Sequence, residues 1–335
     1  MKLFNIERTQ KHLIISFLFI KLKFKRVKFY SAKKFYQYIE ANYSYVVNKE
    51  IVIPIINNEL KKNNNIFVLW LQGFKGMPDI VKKCYESIKY FNSDKNVILL
   101  DERNLSNYVQ LPNYIIEKYK HGIISNAHFS DIVRCYLLTN YGGLWIDATV
   151  LLTNKIPNII FNESFFLFKD LSWFDNYALA DSFTKQIIDN DLLKKSITFL
   201  HPDKDMPNIS NWFIFSKAQN PFIKKILLFL LEYWKNEDKL KNYFMFHLWT
   251  RFLVLNDKEC KSIWDKMYSV TNRDPHLIQS TWNDNFDIKQ WNNIQKHSPI
   301  HKLTYKNFEE INDGWKNHLL NLNFKEITSK KGKDK

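Results

Sequence analysis

Residues Ile123 to Thr153 read IISNAHFSDIVRCYLLTNYGGLWIDATVLLT, a helix, a tight turn and a strand in succession. Ser125 and Asn126 are residue types that cap helix starts. Phe129, Ile132, Val133, Tyr136 and Leu137 then recur at helical spacing, which predicts one face packed on a core. Tyr141-Gly142-Gly143 ends the helix, because glycine takes the positive φ that a helix C-terminus favours. The apolar, β-prone run Leu144 to Leu152 predicts a central strand covered on both faces.

Two features do not fit plain core. Asp147 is an acid inside the apolar run, where an unpartnered carboxylate is costly. Strand alternation places Trp145, Asp147 and Thr149 on one side, with Asp147 and Thr149 about 6–7 Å apart. On the preceding helix, Asp131 and Arg134 are one turn apart and can pair, beside Ser130. Residue chemistry alone leaves two readings open: a functional constellation, or a surface salt bridge plus a strand-end acid facing water.

The stretch resembles the signature of the capsular polysaccharide synthesis proteins, a branch of the DXD sugar-transferases in glycosyltransferase family 32. Their pattern is close to FSDIxRxxLLxxYGGxWxDATV. It stands here as Phe129-Ser130-Asp131-Ile132, Arg134, Leu137-Leu138, Tyr141-Gly142-Gly143, Trp145 and Asp147-Ala148-Thr149-Val150. The glucosyltransferase domain of large clostridial toxins is similar at greater distance. The likeness is densest over residues 66–153 and thinner to about residue 305.

The resemblance implies an α/β, GT-A-like nucleotide-sugar-binding fold, with a mixed central sheet and an α-rich C-terminal part. It implies transfer from a nucleotide-sugar donor, a UDP-sugar, to a glycan or lipid-linked glycan acceptor in capsular or other surface polysaccharide, with retention. Asp131, Arg134 and Asp147 would be catalytic. Trp70, Gln72, Gly73, Ser130, Trp145, Asn211 and Lys302 would join Asp131 and Arg134 around the donor. A divalent cation, Mn2+ or Mg2+, would be held by Asp147, Thr149 and His301. Thr149 stands where many relatives carry a second Asp, and a neutral hydroxyl lowers metal affinity. The rival reading is a catalytically weak sugar- or nucleotide-binding protein of the same fold.

Outward from this centre, Ile66 to Trp70 reads as a buried strand and Gln72 to Gly76 as the loop beyond it. Pro78-Asp79 opens a helix with Ile80, Cys84, Ile88 and Phe91 on one face. Val97 to Leu100 is the next strand. This β-loop-α-β order begins a doubly wound sheet, whose ligands lie beyond the strand C-termini. It carries neither GxGxxG nor a Walker A loop. Trp70 also reads simply as a core tryptophan. Ile51 to Asn58 reads as a short strand broken by Pro54. Later, Phe165 to Phe168 and Trp212 to Phe215 read as strands, and Asn220-Pro221 opens a long apolar helix. His247 reads as a helix histidine among aromatics, with family likeness making it a minor site candidate. Ser298 to Lys306 reads either as a solvent-facing basic loop or as the return of His301 and Lys302 to the site.

The 335 residues are enough for a sizeable core, and 45% hydrophobic and 16% aromatic content exclude a disordered chain. Residues 1–40 hold +8 and residues 325–335 hold +3 of the net +15. Charge confined to the ends, with no recognition motif, argues against a nucleic-acid partner. His12 to Ile20 is apolar but shorter than the ~20 residues a membrane crossing needs. The following cation-rich run places residues 11–34 on an anionic membrane surface or in a solvated arm. Three scattered cysteines without CxxC suit a reducing cytoplasm, hence a cytoplasmic protein peripheral at the inner face of the membrane. The expected organisation is a basic arm over 1–65, the transferase domain over 66–310, and a C-terminal helix with a disordered basic tail over 311–335.

Overall fold

The computed structural model describes residues 4–8, 12–17, 20–25, 29–60, 63–169 and 207–331, with side chains for 29–60, 63–169 and 207–327. Three antiparallel strands come first, β1 (Phe4–Arg8), β2 (His12–Phe17) and β3 (Ile20–Lys25). The side chains of the basic run 21–28 lie outside the described residues.

The core is organised on a sheet of β4 (Asn65–Leu69), β5 (Asn96–Leu100), β6 (Gly143–Ile146), β8 (Phe165–Lys169) and β9 (Ile209–Ser216). Its order is β5-β4-β6-β9-β8. β4 runs parallel to both β5 and β6, while β9 is antiparallel to β6 and β8. The mixed α/β sheet expected from the sequence is therefore present. Ile66, Phe67 and Val68 are inaccessible to solvent, so both faces of β4 are covered.

Helix α1 (Ala32–Tyr43) buries Phe35, Ile39 and Tyr43. The chain from Ala32 onward thus contributes to the core instead of forming an arm. Helix α2 (Asp79–Phe91) buries Ile80, Cys84, Ile88 and Phe91, as their spacing predicts. Helix α3 (Asn113–Lys120) leads into α4 (Asn126–Tyr141), which starts at Ser125, whose hydroxyl accepts from the His128 amide. α4 is buried on nearly every side, not on one face. It lies between the sheet and the long helix α6 (Pro221–Asn236), which follows the short α5 (Asn158–Asn162). α7 (Met245–Asn256) packs on α1 and α6. The α-rich C-terminal part continues through α8 (Lys258–Lys266), α9 (Leu277–Thr281), α10 (Ile288–His297), α11 (Asp313–Leu320) and α12 (Phe324–Lys331).

Three expectations need correction. The run Leu144 to Leu152 is two strands, not one. β6 ends at Ile146, opposite Phe213, and the chain turns through Asp147, whose carbonyl accepts from the Val150 amide at 3.0 Å. β7 (Val150–Leu152) then joins a separate ladder with β10 (Ile300–Lys302). Both pieces are apolar because each is buried in its own layer, so composition hides the break. Ile51 to Asn58 forms no strand: it is irregular, with the Pro54 carbonyl receiving Nδ2 of Asn140 at 2.7 Å. The tail from Lys325 is helical to Lys331, and 332–335 lie outside the described residues.

The glycine pair at the end of α4 has a geometric reason. Gly142 and Gly143 take φ of 61° and 102°. A Cβ on Gly143 would lie 2.4 Å from the Asn65 carbonyl oxygen, and one on Gly142 would lie 2.4 Å from the Ala218 amide nitrogen. Only glycine lets α4 deliver β6 against β4 at this distance.

Candidate active site

β4 and β6 are adjacent and parallel, with β5 and β9 outside them. Connections leave this pair in opposite directions, so a crevice opens beyond its C-terminal ends. A cavity of about 970 Å³ lies there. One wall carries Trp70, Leu71 and Gln72 after β4, Asp147 after β6, and Ser130, Asp131 and Arg134 from α4. The facing wall comes from Asn208, Ile209, Asn211, Trp212, Tyr243, His276 and Lys302 to Lys306.

A chain of charges crosses the cavity floor. Arg134 pairs with Asp131 at 2.9 Å, and the two side chains are 4% and 7% exposed. The same guanidinium donates to Ser130 Oγ at 3.0 Å and to the Asn211 carbonyl, reaches Asp147 at 3.5 Å, and lies 5.0 Å from the Trp145 ring. Asn211 returns a bond from Nδ2 to Asp131 at 3.1 Å. Asp147 receives the Trp145 indole N–H at 2.9 Å on Oδ1 and the Lys302 ammonium at 2.9 Å on Oδ2. Lys302 also donates to Thr149 Oγ1 at 2.7 Å.

The two carboxylates are pushed in opposite directions. Burial raises Asp131 above the ordinary carboxylate range, and Arg134 offsets this only in part. Burial would raise Asp147 too, but Lys302 and Arg134 together hold it below its ordinary value. Burial, aided by the Lys302 charge, lowers His276 to about 4, so that ring is neutral at physiological pH.

Most of the residues singled out in the sequence meet here, with two departures. Gly73 does not line the cavity; its φ of 71° turns the loop close to Asp101, where a Cβ would lie 2.9 Å from the carboxylate. His301 faces away from Lys302, as alternation along β10 requires. It is fully buried, with Nε2 3.0 Å from Thr153 Oγ1. This corrects its expected place as a ligand beside Asp147. Trp70 is only partly buried, not a core residue. Its indole N–H donates to the Gly76 carbonyl at 3.2 Å, and its ring meets Tyr305 edge to face at 5.3 Å. His247 lines the cavity among aromatics, packed on Phe244 at 5.3 Å. Tyr305, Tyr243 and His276 escaped the sequence reading. Tyr305 and Tyr243 had a signal, in the basic stretch ending at Lys306 and in the aromatic stretch leading to His247.

The protein's side chains by themselves make a poor donor set for a divalent cation. Mn2+ and Mg2+ take several oxygen ligands, with carboxylates supplying the charge. Among the described residues, no three His, Cys, Asp or Glu side chains gather to hold one ion. Asp147 and Thr149 offer one carboxylate and one hydroxyl, and the Lys302 ammonium already binds both.

The model of a family described as capsular polysaccharide synthesis protein matches residues 16–320. The O-glycosyltransferase braB of Annulohypoxylon truncatum is 25% identical over 190 residues, 54% of this chain and 40% of that protein. The chain therefore spans less than half the length of this curated relative. Among solved structures, the PaToxG glycosyltransferase is 14% identical, with a TM-score of 0.35 over 88% of this chain and 95% of its own. The WbbM bifunctional glycosyltransferase is 12% identical, with a TM-score of 0.37 over 84% and 54%. The catalytic domain of alpha-toxin from Clostridium novyi is 10% identical, with a TM-score of 0.26 over 81% and 77%.

Proposed function

The chain belongs to the capsular polysaccharide synthesis protein family, and from that membership we propose that it is a glycosyltransferase of GT-A type. It takes a sugar from a nucleotide-sugar donor, a UDP-sugar, and passes it with retention to a growing capsular or other surface glycan. One observation carries the reading: an acid at the end of a central parallel strand, flanked by two cations, at the floor of a large crevice.

In this reading the donor's base lies by Trp70 and Tyr305, and its diphosphate lies toward Arg134 and Lys302. Asp131, Ser130 and Asn211 orient the sugar by hydrogen bonding. The bond from C1 to the diphosphate oxygen breaks, and its electron pair leaves with the diphosphate. The acceptor hydroxyl adds to C1 on the same face and gives its proton to the departing phosphate. Preorganised cations facing the growing negative charge lower the barrier, because they need no reorganisation during the step. Asp147 holds Lys302 and Arg134 in that arrangement.

The acceptor is a glycan, free or lipid-linked. Peripheral attachment at the inner face of the cytoplasmic membrane through residues 11–34 would keep the enzyme near it. Among the described residues, no helix is long and apolar enough to cross a membrane. The test is turnover of a panel of nucleotide sugars, with the anomeric configuration of the product read by NMR. The reading expects one donor to be consumed with its configuration retained. No turnover and no nucleotide binding would overturn it.

A further inference from the structure

We propose that Lys302 takes the place of the divalent cation, so that this chain handles the diphosphate of its donor without metal. The inference rests on the sugar-transfer reading of the same cavity and deepens it.

Its first support is where Lys302 comes from. β10 pairs antiparallel with β7, with Lys302 opposite Val150, and the Leu303 amide donates to the Thr149 carbonyl at 2.9 Å. The lysine is thus pinned by backbone ladder bonds beside the Asp147–Val150 turn. Its ammonium lies 2.9 Å from Asp147 Oδ2 and 2.7 Å from Thr149 Oγ1. Those two oxygens belong to the positions from which a DXD-type pair would grip a metal ion.

The second support is charge balance. Two carboxylates neutralise a dication, whereas one carboxylate neutralises one ammonium. Thr at 149 and Lys at 302 are therefore two halves of one exchange: a negative charge is removed and a single positive charge is supplied. Arg134 is matched by Asp131 at 2.9 Å and reaches Asp147 at 3.5 Å, so Lys302 at 2.9 Å is the nearer partner of Asp147. A dication on Asp147 would have to sit next to the ammonium and repel it.

The third support is the donor count. An ammonium has three N–H donors. Asp147 and Thr149 receive two, and the third is available to a diphosphate oxygen at the edge of the cavity, where the side chain is 18% exposed. In the transfer step the electron pair of the breaking C1–O bond goes to the diphosphate, whose added charge meets Lys302 and Arg134. Lys302 keeps its proton throughout, and the proton of the acceptor hydroxyl leaves with the nucleoside diphosphate.

The test uses probes that do not depend on turnover. Inorganic pyrophosphate is titrated calorimetrically into the full chain in EDTA, and Mn2+ alone is followed by the EPR signal of the free ion. We expect pyrophosphate to bind wild type in EDTA and to bind Lys302→Met about tenfold or more weakly, the size of a lost charged hydrogen bond. Lys302→Arg should retain most of the affinity, which separates charge from folding. Wild type should leave the Mn2+ signal unchanged, while Lys302→Asp, restoring a second carboxylate, should diminish it. Stoichiometric Mn2+ uptake by wild type, or pyrophosphate binding that requires Mn2+ and ignores Lys302→Met, would overturn the inference. So would donor turnover abolished by EDTA and restored by Mn2+. Failure to turn over any nucleotide sugar, with the binding results as expected, would remove the sugar-transfer reading alone and leave a metal-free diphosphate site.

Discussion

The wall of the cavity built by α4 and β6 comes from one continuous stretch, whereas the facing wall is gathered from β9, Tyr243, His276 and the chain after β10. The first wall is tied to itself. Within it Arg134 contacts Asp131, Ser130, Asp147 and Trp145, and it also donates to the Asn211 carbonyl of the facing wall. The second is wetter at its rim: Tyr305 is 42% and Tyr243 54% exposed, and the Tyr305 ring meets Trp70. The first wall is at once scaffold and site, so changes at its buried Asp131–Arg134 pair should unfold as well as inactivate. Changes in the second should alter binding and leave folding intact.

Arg134→Ala is the strongest attack on this contrast. It leaves the buried Asp131 without its counter-charge, and stability should fall by about 3–5 kcal/mol. Urea denaturation reads this directly, and a loss under about 1 kcal/mol would make the pair an ordinary surface salt bridge. Next is Asp147→Asn, the first-wall residue that Lys302 of the facing wall reaches. Its side chain is 26% exposed, so the fold should hold. Turnover should nonetheless drop about a hundredfold, because Lys302 and Arg134 lose the group that aims them. Near-normal kinetics would take Asp147 out of the chemistry.

Tyr305→Ala tests the second wall by itself. If Trp70 and Tyr305 flank the base, KM for the donor should rise about tenfold, in keeping with base–aromatic stacking, and the melting curve should not move. A shifted melting temperature with unchanged KM would reverse the contrast at this point. His301→Leu addresses the opposite face of β10. It removes the contact with Thr153 and should lower stability by roughly 1 kcal/mol, with turnover near wild type. A collapse of turnover would bring His301 back into the site.

The smallest effect on chemistry is expected in the basic N-terminal run. Replacing Lys21, Lys23, Lys25, Arg26 and Lys28 with Gln should weaken co-sedimentation with anionic liposomes and leave donor hydrolysis in free solution unchanged. Wild-type sedimentation should also fade as salt screens the attraction. Equal sedimentation of the variant and wild type would end the membrane proposal.

The helix, the glycine stop and the buried strand of the central stretch were legible because each is a local pattern. Ser125 caps α4 as its residue type predicts, and Gly142 and Gly143 take the positive φ expected of them. Asp131, Arg134 and Asp147 stood out for a related reason: charges in an apolar sequence need partners, and one turn of helix supplies the first. The break after Ile146 was not legible. An apolar residue looks the same whether it is buried in one sheet or in the next, and only the partner strand decides. The full burial of α4 was hidden likewise, since α6 begins some eighty residues downstream of its end.

By itself, the sequence determined which residues carry charge into the core, where helices start and stop, and which strands are covered on both faces. These follow from side-chain chemistry and from periods of two or 3.6 residues. Tertiary structure decided which charge answers which. Lys302 meets Asp147 across 155 positions of sequence, while its neighbour His301 is turned into the core. Both outcomes hang on the register of β10 against β7, because a one-residue slip exchanges the faces of a strand. That register is set by packing between segments far apart in the chain, and no local pattern records it.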